Sequence, residues 1–127
     1  MGRNTYEKVL TFGPWPYEKP GIVLSRNPID IPTEIANKVT HSSETPKILY
    51  TQLSAEGARR LYIDGDITIQ RFLNAGLITD LTITLIPIIL GEGIPLFASL
   101  QQDIPLTHTE ILSYPFGFVQ LKYEVAD

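Results

Sequence analysis

The sequence predicts an α/β domain, and three observations carry that prediction. Short apolar runs of strand length alternate with helical stretches over roughly the first 76 residues. Strict period-two alternation then sets in at Leu81-Thr82-Ile83-Thr84-Leu85, and Pro115-Phe116-Gly117 joins two further strand-like runs. Helices between strands, followed by a hairpin, fit a mainly parallel sheet with an antiparallel edge. The 127 residues, 1–127, are read as one domain, long enough to bury its own core.

The first element is a helix opening at Gly2-Arg3-Asn4-Thr5, with Tyr6, Glu7, Lys8, Val9 and Leu10 continuing it. Gly permits close approach to the backbone, Arg supplies a charged fork, and Thr places a hydroxyl beside outward-pointing helix amides. Such a phosphate-binding start normally follows a strand; here no strand precedes it, and the expectation is a domain truncated at its N-terminus. Residues 12–21, rich in Pro and Gly, form a loop. Ile22-Val23-Leu24-Ser25 is a short buried strand bounded by Gly21 and by the turn signal Arg26-Asn27-Pro28, and residues 38–42 form another short one.

Thr45-Pro46 starts a second helix, hydroxyl at the cap and Pro in the first turn, running to about Gly57 with Ile48, Leu49, Leu53 and Ala58 on its packed face. Residues 60–64 are the next strand, Gly65 turns the chain, and residues 67–75 form a third helix with Ile69, Phe72 and Leu73 inward and Gly76 as its cap. From Asp80 a long strand goes from half-buried to buried at Ile86-Pro87-Ile88-Ile89-Leu90, a core segment much too short to span a bilayer. Residues 91–97 make a tight loop, and strands at about 106–114 and 118–125 complete the hairpin.

Composition narrows the functions. Hydrophobic residues at 43%, charged residues at 19% and a net charge of −4 describe a soluble globular protein and argue against nucleic acid as a partner. The absence of cysteine excludes disulfides, thiol nucleophiles and Cys-based metal sites, and fits a reducing compartment; the cytoplasm is the expected location. His41 and His108 are far apart and have no acidic ligand pattern around them, so no metal is expected. Three segments do bring ligand-type residues to strand ends in one sense: Gly2-Arg3-Asn4-Thr5, Ser25-Arg26 and Asp64-Gly65-Asp66. In an open α/β sheet these would line one edge and offer two arginines and a helix dipole to an elongated anion, such as a dinucleotide carrying an extra phosphate.

These segments, together with Phe72-Leu73-Asn74-Ala75-Gly76-Leu77-Ile78 and the Leu-Gly-x-Gly-x-Pro-Leu-Phe pattern ending at Phe97, resemble the dihydrofolate reductase-like superfamily. The likeness is closest to the reductase domain of the bifunctional riboflavin-biosynthesis deaminase/reductase and runs through most of the chain in order. It implies a three-layer α/β/α sandwich and a reductase with NADPH as hydride donor. By that resemblance Gly2, Arg3 and Thr5 hold cofactor phosphates, Ser25 and Arg26 the adenosine end with its 2′-phosphate, and Asp64, Gly65, Asp66, Ile67 and Thr68 the pyrophosphate turn. The family's preceding strand, substrate-covering loop, helix and second strand, which supply much of the substrate pocket, have no counterpart in these residues.

Asp66 also departs from the family, which usually has a second Gly there. A carboxylate at that point is expected to cap the following helix and to compete with a phosphate: at about 4 Å and an effective dielectric near 20 the repulsion is of order 4 kcal/mol before screening. Two functions follow. One is an NADPH-dependent reductase acting on a small pyrimidine-type or pterin-type substrate. The other is a non-catalytic domain that keeps the fold and acts by self-association or residual nucleotide binding. Loss of strands exposes sheet edges, so a homo-oligomer is expected in either case, with neither membrane nor nucleic acid as partner.

Overall fold

The computed structural model describes residues 1–97 and 99–126. In chain order the elements are α1 (Arg3–Leu10), β1 (Gly21–Leu24), a 3₁₀ turn (Thr33–Ile35), β2 (Val39–Ser42), α2 (Pro46–Ala55), α3 (Asp66–Asn74), β3 (Asp80–Leu85), β4 (Leu106–Ser113) and β5 (Val119–Val125). Among the described residues no helix is long and apolar enough to cross a membrane.

Two sheets form. β1 and β2 pair in parallel, from Gly21 opposite Val39 to Leu24 opposite Ser42. On the other side of β1, Gly2 makes a parallel bridge to Leu24, and Leu24 N–H donates to the Met1 carbonyl at 2.8 Å. The chain just before α1 thus lies as a third parallel segment, and α1 starts at the same edge where β1 and β2 end. The second sheet has the order β3-β5-β4 and is antiparallel throughout, with a register shift between His108 and Glu110.

The period of two along β1 decides where the core sits. Val23 faces one cluster with Tyr6, Ile35 and Val39, while Leu24 and Ile22 face another with Leu49 and Phe72. β1 is therefore covered on both faces, by α1 and the 3₁₀ turn on one and by α2 and α3 on the other. The helix ends follow local chemistry. Thr45 Oγ1 accepts from Ile48 N–H at 3.3 Å with Pro46 in the first turn. At the far end of α3, Gly76 N–H donates to Leu73 O and Leu77 N–H to Phe72 O, both at 3.1 Å, the paired bonds of a Schellman stop.

Four sequence expectations need correction. Residues 60–64 carry no ladder: a strand needs a partner edge, and none of the described residues pairs with this segment. β3 stops at Leu85, because Pro87 has no N–H to donate, and the following apolar run is not a buried core strand; Ile89 is 98% exposed. The described ladders are not mainly parallel either, since every pairing of the three-stranded sheet is antiparallel and β5, rather than lying at an edge, runs between β3 and β4. On α2, Leu49 is buried and Leu53 half-buried as expected, whereas Ile48 is exposed, and so is Ala58, which lies beyond the end of the helix.

Candidate functional site

The two helix N-termini named from the sequence come together. Gly65, at φ +97°, turns the chain into α3 in a conformation that favours glycine. A methyl group placed on it would lie 2.9 Å from Thr5 Oγ1 on α1, 3.6 Å from Gly2 N and 3.7 Å from Thr68 Oγ1. A methyl group on Gly2 would lie 2.8 Å from the same Thr68 hydroxyl. Gly2, Thr5, Gly65 and Thr68 therefore form one cradle with no room for another carbon, in which two hydroxyls and the free amides of two helices share a small volume. Thr68 is buried there, a polar side chain in an otherwise apolar interior. Neither N-cap residue, Gly2 or Gly65, caps its helix with a side chain, so first-turn amides other than Ile67 N–H remain available to an anion.

Ser25 and Arg26 follow β1 at the adjoining edge. Ser25 N–H donates to Ser42 O at 3.1 Å, and His41 Nε2 lies 2.8 Å from Ser25 O. Arg26 is exposed and has no carboxylate partner among the described residues. Arg3 is also exposed, but its Nε donates to Glu7 Oε1 at 2.8 Å, one helical turn on. The two arginines named from the sequence thus differ: one is held by a neighbour on its own helix, the other is free to meet a ligand.

Asp64 is half-buried just before the turn, and its charge helps raise the Tyr17 hydroxyl pKa, an effect dominated by burial. Asp66 does not cap α3 as expected. Gly65 occupies the cap position, and Asp66, the first helical residue, turns its Oδ1 back onto Ile67 N–H at 2.8 Å. The carboxylate still takes one first-turn amide that a phosphate would otherwise use. Ile67 projects into solvent, apart from the cradle.

Two features escaped sequence reasoning. His41, read as an ordinary position, reaches the site only because the β1–β2 register sets it opposite Val23, two residues from Ser25. A groove of about 580 Å³ beside Asp64 separates residues 58–64 from the free edge of β3, with Phe72, Leu73 and Ile69 of α3 among its walls. No spacing rule in the sequence signals a gap between this segment and β3.

No protein-family model matches the chain. A solved structure from Shewanella sp. PV-4, named provisionally as a riboflavin biosynthesis protein, superposes with a TM-score of 0.94 at 37% identity, covering all of this chain and 72% of its own. A pyrimidine reductase-like protein from Corynebacterium diphtheriae NCTC superposes with a TM-score of 0.62 at 21% identity over 84% of this chain and 50% of its own, a likeness of fold alone. The uncharacterized protein YwjB of Bacillus subtilis (strain 168) is 32% identical over 109 residues, 84% of this chain, which spans 61% of the length of that relative.

Proposed function

The chain belongs to the dihydrofolate reductase-like riboflavin reductase family, and from that premise we propose that it binds NADPH for the reduction of a small pyrimidine-type or pterin-type substrate. The observation that carries this reading is the convergence of the α1 and α3 N-termini on Gly2, Thr5, Gly65 and Thr68, beside Ser25 and Arg26. The residues fit the cofactor. Close glycine backbones admit phosphate oxygens, the first-turn amides and the Thr5 and Thr68 hydroxyls donate to them, and the Arg26 guanidinium matches a 2′-phosphate bidentately. Arg3, in the first turn of α1, would add a second guanidinium for the same phosphates once it leaves Glu7.

When bound, NADPH would supply the hydride. This chain's own part is to fix the adenosine and pyrophosphate so that the nicotinamide end is held in one place, which converts a bimolecular encounter into a positioned one. We assign catalytic roles to none of the described side chains. The three-layer arrangement implied by the family accords with the two-faced packing of β1, and the cytoplasm, with its reduced nicotinamide pool, is the proposed compartment.

Titration of the protein with NADPH and with NADH, followed by cofactor fluorescence, tests the reading. NADPH is expected to bind more tightly, and Arg26→Ala to weaken NADPH about tenfold or more while sparing NADH, the usual consequence of losing a charged hydrogen bond. Lack of saturable NADPH binding overturns the proposal. One observation favours a second property, self-association: β4 is exposed along its whole length and the apolar run after β3 is uncovered. A homo-oligomer is therefore proposed, and a single monomeric species in sedimentation at micromolar concentration would contradict it. NADPH binding without turnover of any pyrimidine or pterin would support the non-catalytic reading.

A further inference from the structure

We propose that His41 is a positioning residue that sets the preference for a 2′-phosphorylated cofactor, by fixing the peptide between Ser25 and Arg26; this rests on the NADPH reading above. The Ser25 carbonyl can only accept a hydrogen bond, so the 2.8 Å contact requires His41 Nε2 to carry the proton and donate. Ser25 N–H is tied to Ser42 O at 3.1 Å on the same neighbouring strand. Both polar groups of Ser25 are therefore held by β2, one by its backbone and one by an imidazole half-buried against the strand end.

The consequence lies on the opposite side. The described peptides are all trans and planar, so a C=O and the N–H of the next residue point in opposite directions. With the Ser25 carbonyl held by the His41 imidazole, the Arg26 N–H is directed away from that ring. Gly2 bridges to the neighbouring Leu24, so this peptide lies close to where α1 begins. His41 thereby fixes the orientation of the peptide that carries Arg26, an exposed arginine with no carboxylate partner among the described residues. Without the imidazole the Ser25 carbonyl loses its protein partner, and the peptide is free to rotate at the point where the ladder has already ended. The pyrophosphate cradle, built from Gly2, Thr5, Gly65 and Thr68, does not include His41, so the effect falls on the 2′-phosphate and not on the rest of the dinucleotide.

The test compares NADPH and NADH binding to the 127-residue chain and to its His41→Ala and His41→Gln variants by cofactor fluorescence. His41→Ala is expected to weaken NADPH about fivefold and NADH less than about twofold, the scale of one hydrogen bond. His41→Gln, which keeps a side-chain N–H, is expected to recover part of the NADPH preference. Urea midpoints measured alongside identify any variant that simply unfolds, and in the wild type an imidazole Nε2–H signal coupled through the hydrogen bond to the Ser25 carbonyl carbon is expected by NMR. An NADPH-to-NADH ratio unchanged in His41→Ala, an equal loss for both cofactors, or a proton found on Nδ1 alone overturns this inference while leaving the NADPH site standing. Absence of saturable NADPH binding to the wild type instead overturns the parent reading, and this inference with it.

Discussion

β1 and β4 are strands of one chain with opposite fates. β1 has Val23 fully buried and Leu24 nearly so, with a helix-covered cluster on each face; β4 has an exposed residue at every position. Every buried apolar side chain among the described residues lies between Tyr6 and Leu73, although the later part of the chain is rich in Ile and Leu. The difference lies in the distribution of helices. Among the described residues, the three α-helices precede residue 75 and pack on β1, whereas the β3-β5-β4 sheet satisfies its backbone by pairing and gains no helix against its faces. Hydrogen bonding alone therefore builds a sheet without a core, since net stabilisation comes mainly from removing apolar area from water. The accessible surface of 9701 Å² reflects this, against roughly 6,800 Å² for a packed monomer of this mass. Between the two regions the side-chain ties are polar: Arg60 to Asp80, Gln70 to the Ser99 carbonyl, and Gln101 N–H to Asn74.

The largest test of this contrast truncates one large apolar side chain in each region. Phe72→Ala empties a site 2% exposed beside Leu24 and Leu49 and is expected to cost about 3–5 kcal/mol in urea unfolding. Ile111→Ala, on β4, is expected to cost under about 0.5 kcal/mol in the monomer. A loss above about 2 kcal/mol at Ile111, falling away on dilution, would show that the open face is covered by a second copy in solution.

Next in size is the cradle. Gly65→Ala combines a positive φ with a Cβ only 2.9 Å from Thr5 Oγ1, and about 1–3 kcal/mol of destabilisation is expected, together with loss of NADPH binding. The equivalent change at Gly117, also at positive φ but in the β4–β5 turn, should leave cofactor binding untouched. If both variants bound NADPH equally well, the cradle would lose its assignment. Asp66→Asn keeps an oxygen for Ile67 N–H but removes the charge, and NADPH should bind about two- to fivefold more tightly at low salt, an advantage that fades as salt screens it. No change at low salt would place the carboxylate out of the phosphate's reach.

The packed region was also the legible one. Thr45-Pro46, Gly65 and Gly76 are local signals, and the helices they bound lie within a residue or two of expectation. Gly2, Thr5 and Gly65 do come together, as the rule that ligand residues gather at one sheet edge suggests, although the strand expected to lead into Gly65 carries no ladder. What was misread depends on partners that no local pattern encodes. Residues 60–64 have the β-branched and aromatic content of a strand but face a groove instead of a neighbouring edge, and residues 86–90 are apolar enough for a core that the fold does not close around them. The role given to Asp66 failed by one position, because Gly65 took the cap. His41 needed the register of β1 against β2.

The smallest expected effect concerns the tie between the regions and is read by pH. Arg60 Nη2 donates to Asp80 Oδ2 at 2.5 Å, and Thr79 Oγ1 donates to the other carboxylate oxygen at 2.9 Å. These two hydrogen bonds, Arg60 first, hold the Asp80 carboxyl below its usual value of 3.8. A carboxyl whose pKa is lowered by folding stabilises the folded state above its unfolded pKa, and the contribution is lost as pH falls through the lowered folded value. The pair is solvent-exposed and screened, so the gain is slight. The urea midpoint of wild type should exceed that of Asp80→Asn by a small margin at pH 6, and the margin should shrink to nothing as the pH drops below about 3. Since Asp80 begins β3 and Arg60 belongs to the segment across the groove, hydrogen exchange in β3 should respond more than exchange in β1. A margin that stays constant down to pH 2, or one that appears equally in β1, would mean that the two regions are joined by something other than this ion pair.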